Sequence, residues 1–183
     1  MSYNYRIRAT GFGLVKAKLL ILDTNVPDED QNKLKNLALI SCEDLDDRVL
    51  ANAIEVLSIL NSLKPDEQIF NAISKLLSHN NNRVVGNSIL AIYIDSPENQ
   101  NAIDKVRELG ESSNIQNRLT AIYCIGKMLK AHYDPDLVKL LLFAFSDSER
   151  YVRSAGLKRV RLLLENENVS FLETSEITNK KSA

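Results

Sequence analysis

The ten residues RVLANAIEVL (48–57) are one row of a repeat, and that repeat restricts the fold more than any other feature of the chain. RVVGNSILAI (83–92), QNRLTAIYCI (116–125) and YVRSAGLKRV (151–160) lie under it at steps of 35, 33 and 35 residues. One column of the register is small (Ala53, Ser88, Ala121, Gly156) and the next is branched (Ile54, Ile89, Ile122, Leu157). A third, three residues on, is apolar (Leu57, Ile92, Ile125, Val160), and a fourth holds Val49, Val84 and Val152, with Asn117 as the exception. Apolar residues three and four apart are the pattern of a helix with one buried face.

A second mark alternates with the first. Pro27, Pro65, Pro97 and Pro135 are each followed by an acid, Asp28, Asp66, Glu98 and Asp136. Proline suits the first helical turn, where no amide donor is needed, and a carboxylate there complements the positive end of the helix dipole. Ser96 and Asp134, each just before a proline, are expected to be N-caps. The two marks together predict helices over 27–42, 46–62, 65–78, 82–94, 97–110, 114–131, 135–146 and 149–165. Turns rich in Asn, Ser and Gly, SHNNN (78–82) and GESSN (110–114), separate members of this series.

A period of paired helices means that no unit buries its apolar face alone, so that neighbours must stack. The sequence resembles the HEAT-repeat family, in its short bacterial form, over roughly residues 27–165. Asp47, Val49, Ala51, Ala53, Ile54 and Leu57 carry the likeness in the first copy, and Val152, Arg153 and Val160 in the last. Leu50 and Val85 stand where that family has a basic residue, so its Asp/Arg ladder is incomplete here. A tetratricopeptide array has a similar period, but the chain has no Trp and the aromatic positions of that repeat are not filled in register.

The resemblance implies an all-α, right-handed α-solenoid of about four helix pairs (27–62, 65–94, 97–131, 135–165), preceded by a capping segment over 1–26 and followed by a polar tail over 166–183. Val169, Phe171 and Leu172 in that tail could fold back onto the last repeat. It also implies a non-catalytic protein–protein interaction module or assembly scaffold, binding its partner along the concave face lined by the second helices. HEAT-like phycobilin lyases, in which Tyr93 and Tyr123 would flank a tetrapyrrole, supply one alternative. Nucleic-acid binding through the basic fourth repeat supplies another.

By helical angle the outward stripe of the second helices comprises Asn52, Glu55, Asn87, Leu90, Tyr93, Thr120, Tyr123, Lys127, Lys158 and Arg161. Asn52 and Asn87 fit two roles there, partner contacts or a ladder bonding neighbouring helices. Tyr93 and Tyr123 are the stronger candidates for contact, because exposed aromatics are enriched among binding hot spots. In ERYVRSAGLKRVR (149–161), Arg150, Lys158 and Arg161 fall on one exposed face, Arg153 at its edge and Arg159 elsewhere. LVKLLLFAF (137–145) is apolar on every side except Lys139, which predicts cover on both sides, from the C-terminal segment, a partner or a second copy.

Other classes of chemistry find little footing. The net charge is −1, although 44–110 carries −4 (six basic, ten acidic residues) and 111–164 carries +4 (nine basic, five acidic). His79 and His132 are the only histidines, fall at expected helix ends and have no His or Cys three or four residues away, so no metal site is expected. Cys42 and Cys124 sit in apolar stretches without paired spacing, which suits a reducing cytoplasm and buried thiols. TGFG (10–13) is too short for a phosphate loop, and FGLVKAKLLIL (12–22), with Lys16 and Lys18, is too short to span a bilayer. Neither a cofactor nor a catalytic residue is expected.

Overall fold

The computed structural model describes residues 5–22 and 26–165, and these form an all-helical protein with no strand among them. The helices are α1 (Tyr5–Leu22), α2 (Asp28–Ser41), α3 (Asp47–Leu63), α4 (Glu67–Lys75), α5 (Asn82–Asp95), α6 (Gln100–Gly110), α7 (Ile115–Ala131), α8 (Pro135–Phe143) and α9 (Arg150–Glu165). Short 3-10 turns extend α4 (Leu76–Ser78) and α8 (Ala144–Ser146). The expected capping segment is thus an 18-residue helix, α1. The tail over 166–183, with Val169, Phe171 and Leu172, lies outside the described residues.

The motif columns explain the packing. α1 packs on α3, α3 on α5, α5 on α7 and α7 on α9, while α2, α4, α6 and α8 pack against this row. Ala53, Ser88, Ala121 and Gly156 of the small column are buried, as are Ile54, Ile89 and Ile122 of the branched one. Small residues let backbones approach. A Cβ on Gly156 would stand 2.9 Å from the Ala144 Cβ and 3.3 Å from the Phe145 ring. Leu157, the last member of the branched column, is exposed instead, since no described helix follows α9 to cover it. Burying a Leu, Ile or Phe side chain is worth about 1.5–3 kcal/mol, so the continuous row from Phe12 to Leu163 is the main source of stability.

The helix starts are made by polar caps more than by proline. Asp46, Asp66, Asn81, Asn99, Asn114 and Asp134 each accept at least one amide N–H of the turn they begin. Pro135 occupies the first turn as expected. Ser96 does not cap α6; it ends α5, and the Asn99 amide donates back to its carbonyl. Pro97 and Glu98 are used up in that turn, and Asn99 caps α6 in place of Ser96.

α8 differs from its expectation. Leu137 and Leu141 face the core, but Leu142 and Phe143 are exposed, the latter by 74%. Among the described residues α8 is covered on one side only, because its inward residues already meet α7 and α9. No described helix is long and apolar enough to cross a membrane.

Candidate functional site

The side of α3, α5, α7 and α9 away from the even-numbered helices carries most of the residues singled out by helical angle, and it divides in two. At the α1–α3–α5 end the polar side chains bond one helix to the next. Asn52 donates to the Ala9 carbonyl at 2.8 Å and accepts from Arg83 at 2.6 Å. Glu55 takes the Lys16 ammonium at 2.8 Å and an Asn87 N–H at 3.1 Å, and Asn87 also donates to the Ala51 carbonyl at 2.9 Å. Three expected contact residues, Asn52, Glu55 and Asn87, are therefore rungs of a ladder across three helices. Leu90 is half-buried against the core.

Tyr93 does not lie on the outward stripe. It is 1% exposed, on the side of α5 that also holds Gly86 and Ile89 and faces α7, with its ring set edge-on to His132 at 6.1 Å between centroids. The correction follows from the spacing: Tyr93 stands seven residues, close to two turns, beyond Gly86, whose own Cβ would meet Thr120 Cγ2 at 3.2 Å. The same burial raises its phenol pKa above the ordinary value.

At the α7–α9 end the surface is open. Tyr123 is 41% exposed, and the Arg159 guanidinium lies over its ring at 4.8 Å. Lys127, one turn beyond Tyr123, is exposed, as is Lys158 at the equivalent repeat position of α9. Thr120 donates its hydroxyl to the Gln116 carbonyl one turn back, leaving its methyl towards α5. Arg159, expected to point elsewhere, reaches this face because Gly126 leaves room: a Cβ there would stand 2.6 Å from Arg159 Cδ and 3.1 Å from its Cγ. A groove of about 400 Å³ runs between α5 and α7, lined by Glu55, Arg83, Gly86, Asn87, Thr120 and Tyr123 among others. One wall thus ends in an aromatic ring under a cation.

The basic run of α9 serves several ends. Arg153 donates to the Asp147 and Ser148 carbonyls at 2.7 and 2.8 Å, so it closes the turn before α9 and is not a free contact residue. Arg161 pairs with Glu165 on the exposed surface. Arg118, one repeat earlier than Arg153, does the same job at the Ser112 and Ser113 carbonyls and also grips Asp147 with two nitrogens, at 2.7 and 3.0 Å. Arg8 holds Asp44 in the same two-pronged way, at 2.9 and 3.1 Å. Sequence reasoning missed both pairs.

Neither thiol is set up as a nucleophile. Burial pushes Cys124 up to about 12 and Cys42 up to about 11, and Cys124 sits 3.6 Å from the Gly86 carbonyl between two helices. His79 accepts the Asn81 amide through Nδ1 and lies 3.8 Å from Asp47. No group of three metal-ligating side chains occurs among the described residues.

No protein-family model matches the chain, and no curated protein is similar to it. Among solved structures, the crystal structure of an engineered protein from the Northeast Structural Genomics Consortium is similar with a TM-score of 0.48 and 12% identity, over 87% of this chain and 74% of that one.

Proposed function

We propose that the chain is a HEAT-like, right-handed α-solenoid that works without catalysis as a protein-interaction module or assembly scaffold in the cytoplasm. Its partner is held on the second-helix face, at the α7–α9 end. The observation that carries this reading is the Tyr123 ring, exposed yet held in place under Arg159 beside an open groove. A fixed aromatic loses little rotamer freedom on binding, and a tyrosine paired with an arginine is the composition of a hot spot. With Lys127 one turn from Tyr123 and Lys158 at the equivalent repeat position of α9, both exposed, the face suits a partner segment that offers a carboxylate next to an apolar side chain.

Two other readings lose support. Tyr93 is buried and cannot flank a pigment with Tyr123, which removes the basis for a bilin site. Arg153 closes a turn, Arg159 lies on Tyr123 and Arg161 pairs with Glu165, so the fourth repeat offers phosphates few of its basic groups.

Affinity purification from the native cell tests the proposal, with wild type compared with a Tyr123→Ala/Arg159→Glu chain. A co-purifying protein that binds the first and drops at least about tenfold with the second, equal to the loss of about 1.4 kcal/mol, supports it. A partner set unchanged by the double substitution rules this face out.

A further inference from the structure

One buried column of the repeat is broken by an acid. Twelve residues beyond the start of each motif row stand Leu60, Met128 and Leu163, which are 4%, 1% and 3% exposed, and the α5 copy has Asp95 in their place. Three circumstances make this a costly position for a carboxylate. Burial raises its pKa above the ordinary value, so its charged form is disfavoured. Asp95 is the last residue of α5, where an anion opposes the helix dipole. Among the described residues no basic side chain pairs with it, and its hydrogen-bond partner is the Asn61 amide.

The carboxylate is nevertheless held in place. Asn61 is only 5% exposed, and its own oxygen accepts the Asp66 backbone amide at 2.8 Å, which fixes the Nδ2 that donates to Asp95 Oδ2. Oδ1 of Asp95 has no hydrogen-bond partner among the described residues. Asn61 and Asp95 both line a cavity of about 510 Å³ where the ends of α3 and α5 meet the start of α4. Pro65, Phe70 and Ile94 give it an apolar wall, and Asp66 and Glu67 add carboxylates. Lys35 of α2 neutralises Asp66 at 2.9 Å, so the charge left uncompensated at the cavity is negative.

The chemistry of an occupant follows from this lining. A positive charge would relieve the cost at Asp95, and an alkyl arm would cover the apolar wall. A hard metal ion takes six or more oxygens, whereas no group of three metal-ligating side chains occurs among the described residues. A guanidinium binds best with both carboxylate oxygens free for a two-pronged contact. Asn61 already occupies one of them, which leaves a single acceptor suited to the compact charge of an ammonium.

We infer that the cavity at the α3, α4 and α5 ends is a binding site for an alkylammonium group, with the ammonium on Asp95 and the alkyl arm along Phe70 and Ile94. The site shares no lining residue with the groove beside Tyr123, so it stands or falls separately from the interaction face. A lysine side chain of a partner protein and a free diamine carry the same group, and the test separates them.

Nuclear magnetic resonance of the isotope-labelled full chain, titrated at low salt with n-butylammonium chloride up to about 20 mM, reads the site directly. The expected result is a saturable shift of the Asn61 side-chain amide and of the Phe70 and Ser96 backbone amides. Asp95→Asn should weaken binding at least about tenfold, and so should Asp95→Leu, which restores the apolar residue of the other copies and keeps the chain folded. Nα-acetyl-lysine amide binding more tightly than putrescine assigns the site to a protein lysine, and the reverse order assigns it to a free diamine; both support the inference. An Asn61 amide unmoved across the range overturns it. So does an equal response to n-butanol, which lacks the charge, or to ammonium chloride, which lacks the arm, and so does binding by Asp95→Asn within about twofold of wild type.

Discussion

Equivalent positions of the repeat do different work at the two ends of the row. Asn52 and Asn87 occupy the same repeat position on α3 and α5, and both reach back to a carbonyl of the preceding helix. Thr120, at that position on α7, bonds only within its own helix. Glu55 is bound by Lys16 and Asn87, whereas Tyr123, its counterpart on α7, meets solvent and Arg159. The difference teaches that a residue's place in the repeat sets which way it points, and that the preceding helix sets whether it is a structural bond or a free contact.

The comparison can be broken most forcefully at the two tyrosines. Tyr93→Ala should cost about 3–5 kcal/mol of unfolding free energy by leaving a cavity between α5 and α7, while Tyr123→Ala should stay within about 1 kcal/mol and act on binding instead. Denaturant midpoints of the two variants check this, and similar losses for both would erase the distinction.

Next come two of the glycines that lie against neighbouring elements, Gly156 and Gly126. Gly156→Ala drives a methyl into the Ala144 Cβ and the Phe145 ring, groups fixed by the core, and should cost about 1–3 kcal/mol. Gly126→Ala meets only the flexible Arg159 arm, so stability should change by less than about 1 kcal/mol while the guanidinium is displaced from Tyr123. Thermal melts and the intensity of partner capture separate the two outcomes.

Asn87→Ala sharpens the other side. It removes the bonds to Ala51 and Glu55 and should lower stability by about 1–2 kcal/mol with partner binding retained. Full stability with binding lost would move the site to the α3–α5 end.

The smallest effect is in pH dependence. The Arg118 guanidinium holds the Asp147 carboxyl below its ordinary value, and Lys35 does so for Asp66. Stability from these two is fully present above the ordinary carboxylate value and is lost as pH falls through their lowered folded values. Asp95 has the opposite sign: burial raises its pKa, with an opposing hydrogen bond from Asn61, so its contribution declines as pH rises through the raised value. Asp95→Asn should therefore melt at or slightly above the wild-type temperature at neutral pH, and the advantage should vanish in acid.

Much of the architecture was legible because it was written more than once. The small and branched columns located α3, α5, α7 and α9, and the proline–acid pairs located α2, α4, α6 and α8, with helix starts displaced where Asp66 or Asn99 took the cap that proline had suggested. The site was less legible. Tyr93 and Tyr123 look alike in a sequence, and only the packing of α7 on α5 buries one of them. Arg159 needed a gap to cross, and the sole sign of it was Gly126, three residues after Tyr123 and so on the same side of α7. Arg8–Asp44 and Arg118–Asp147 join residues 36 and 29 apart, separations that no single-helix period encodes.

Those two pairs also have a mechanical meaning. They pin α1 to the turn before α3 and α7 to the turn before α9, while among the described residues no ion pair joins α5 to α7, where Gly86 and Thr120 lie in close contact and the Cys124 thiol touches a carbonyl. Apolar surfaces tolerate a small slide that a two-pronged ion pair resists. The α5–α7 joint, beside the groove, is held by packing and the Cys124–Gly86 contact instead of an ion pair, so a ligand seated between α5 and α7 would bear on contacts that no described ion pair pins.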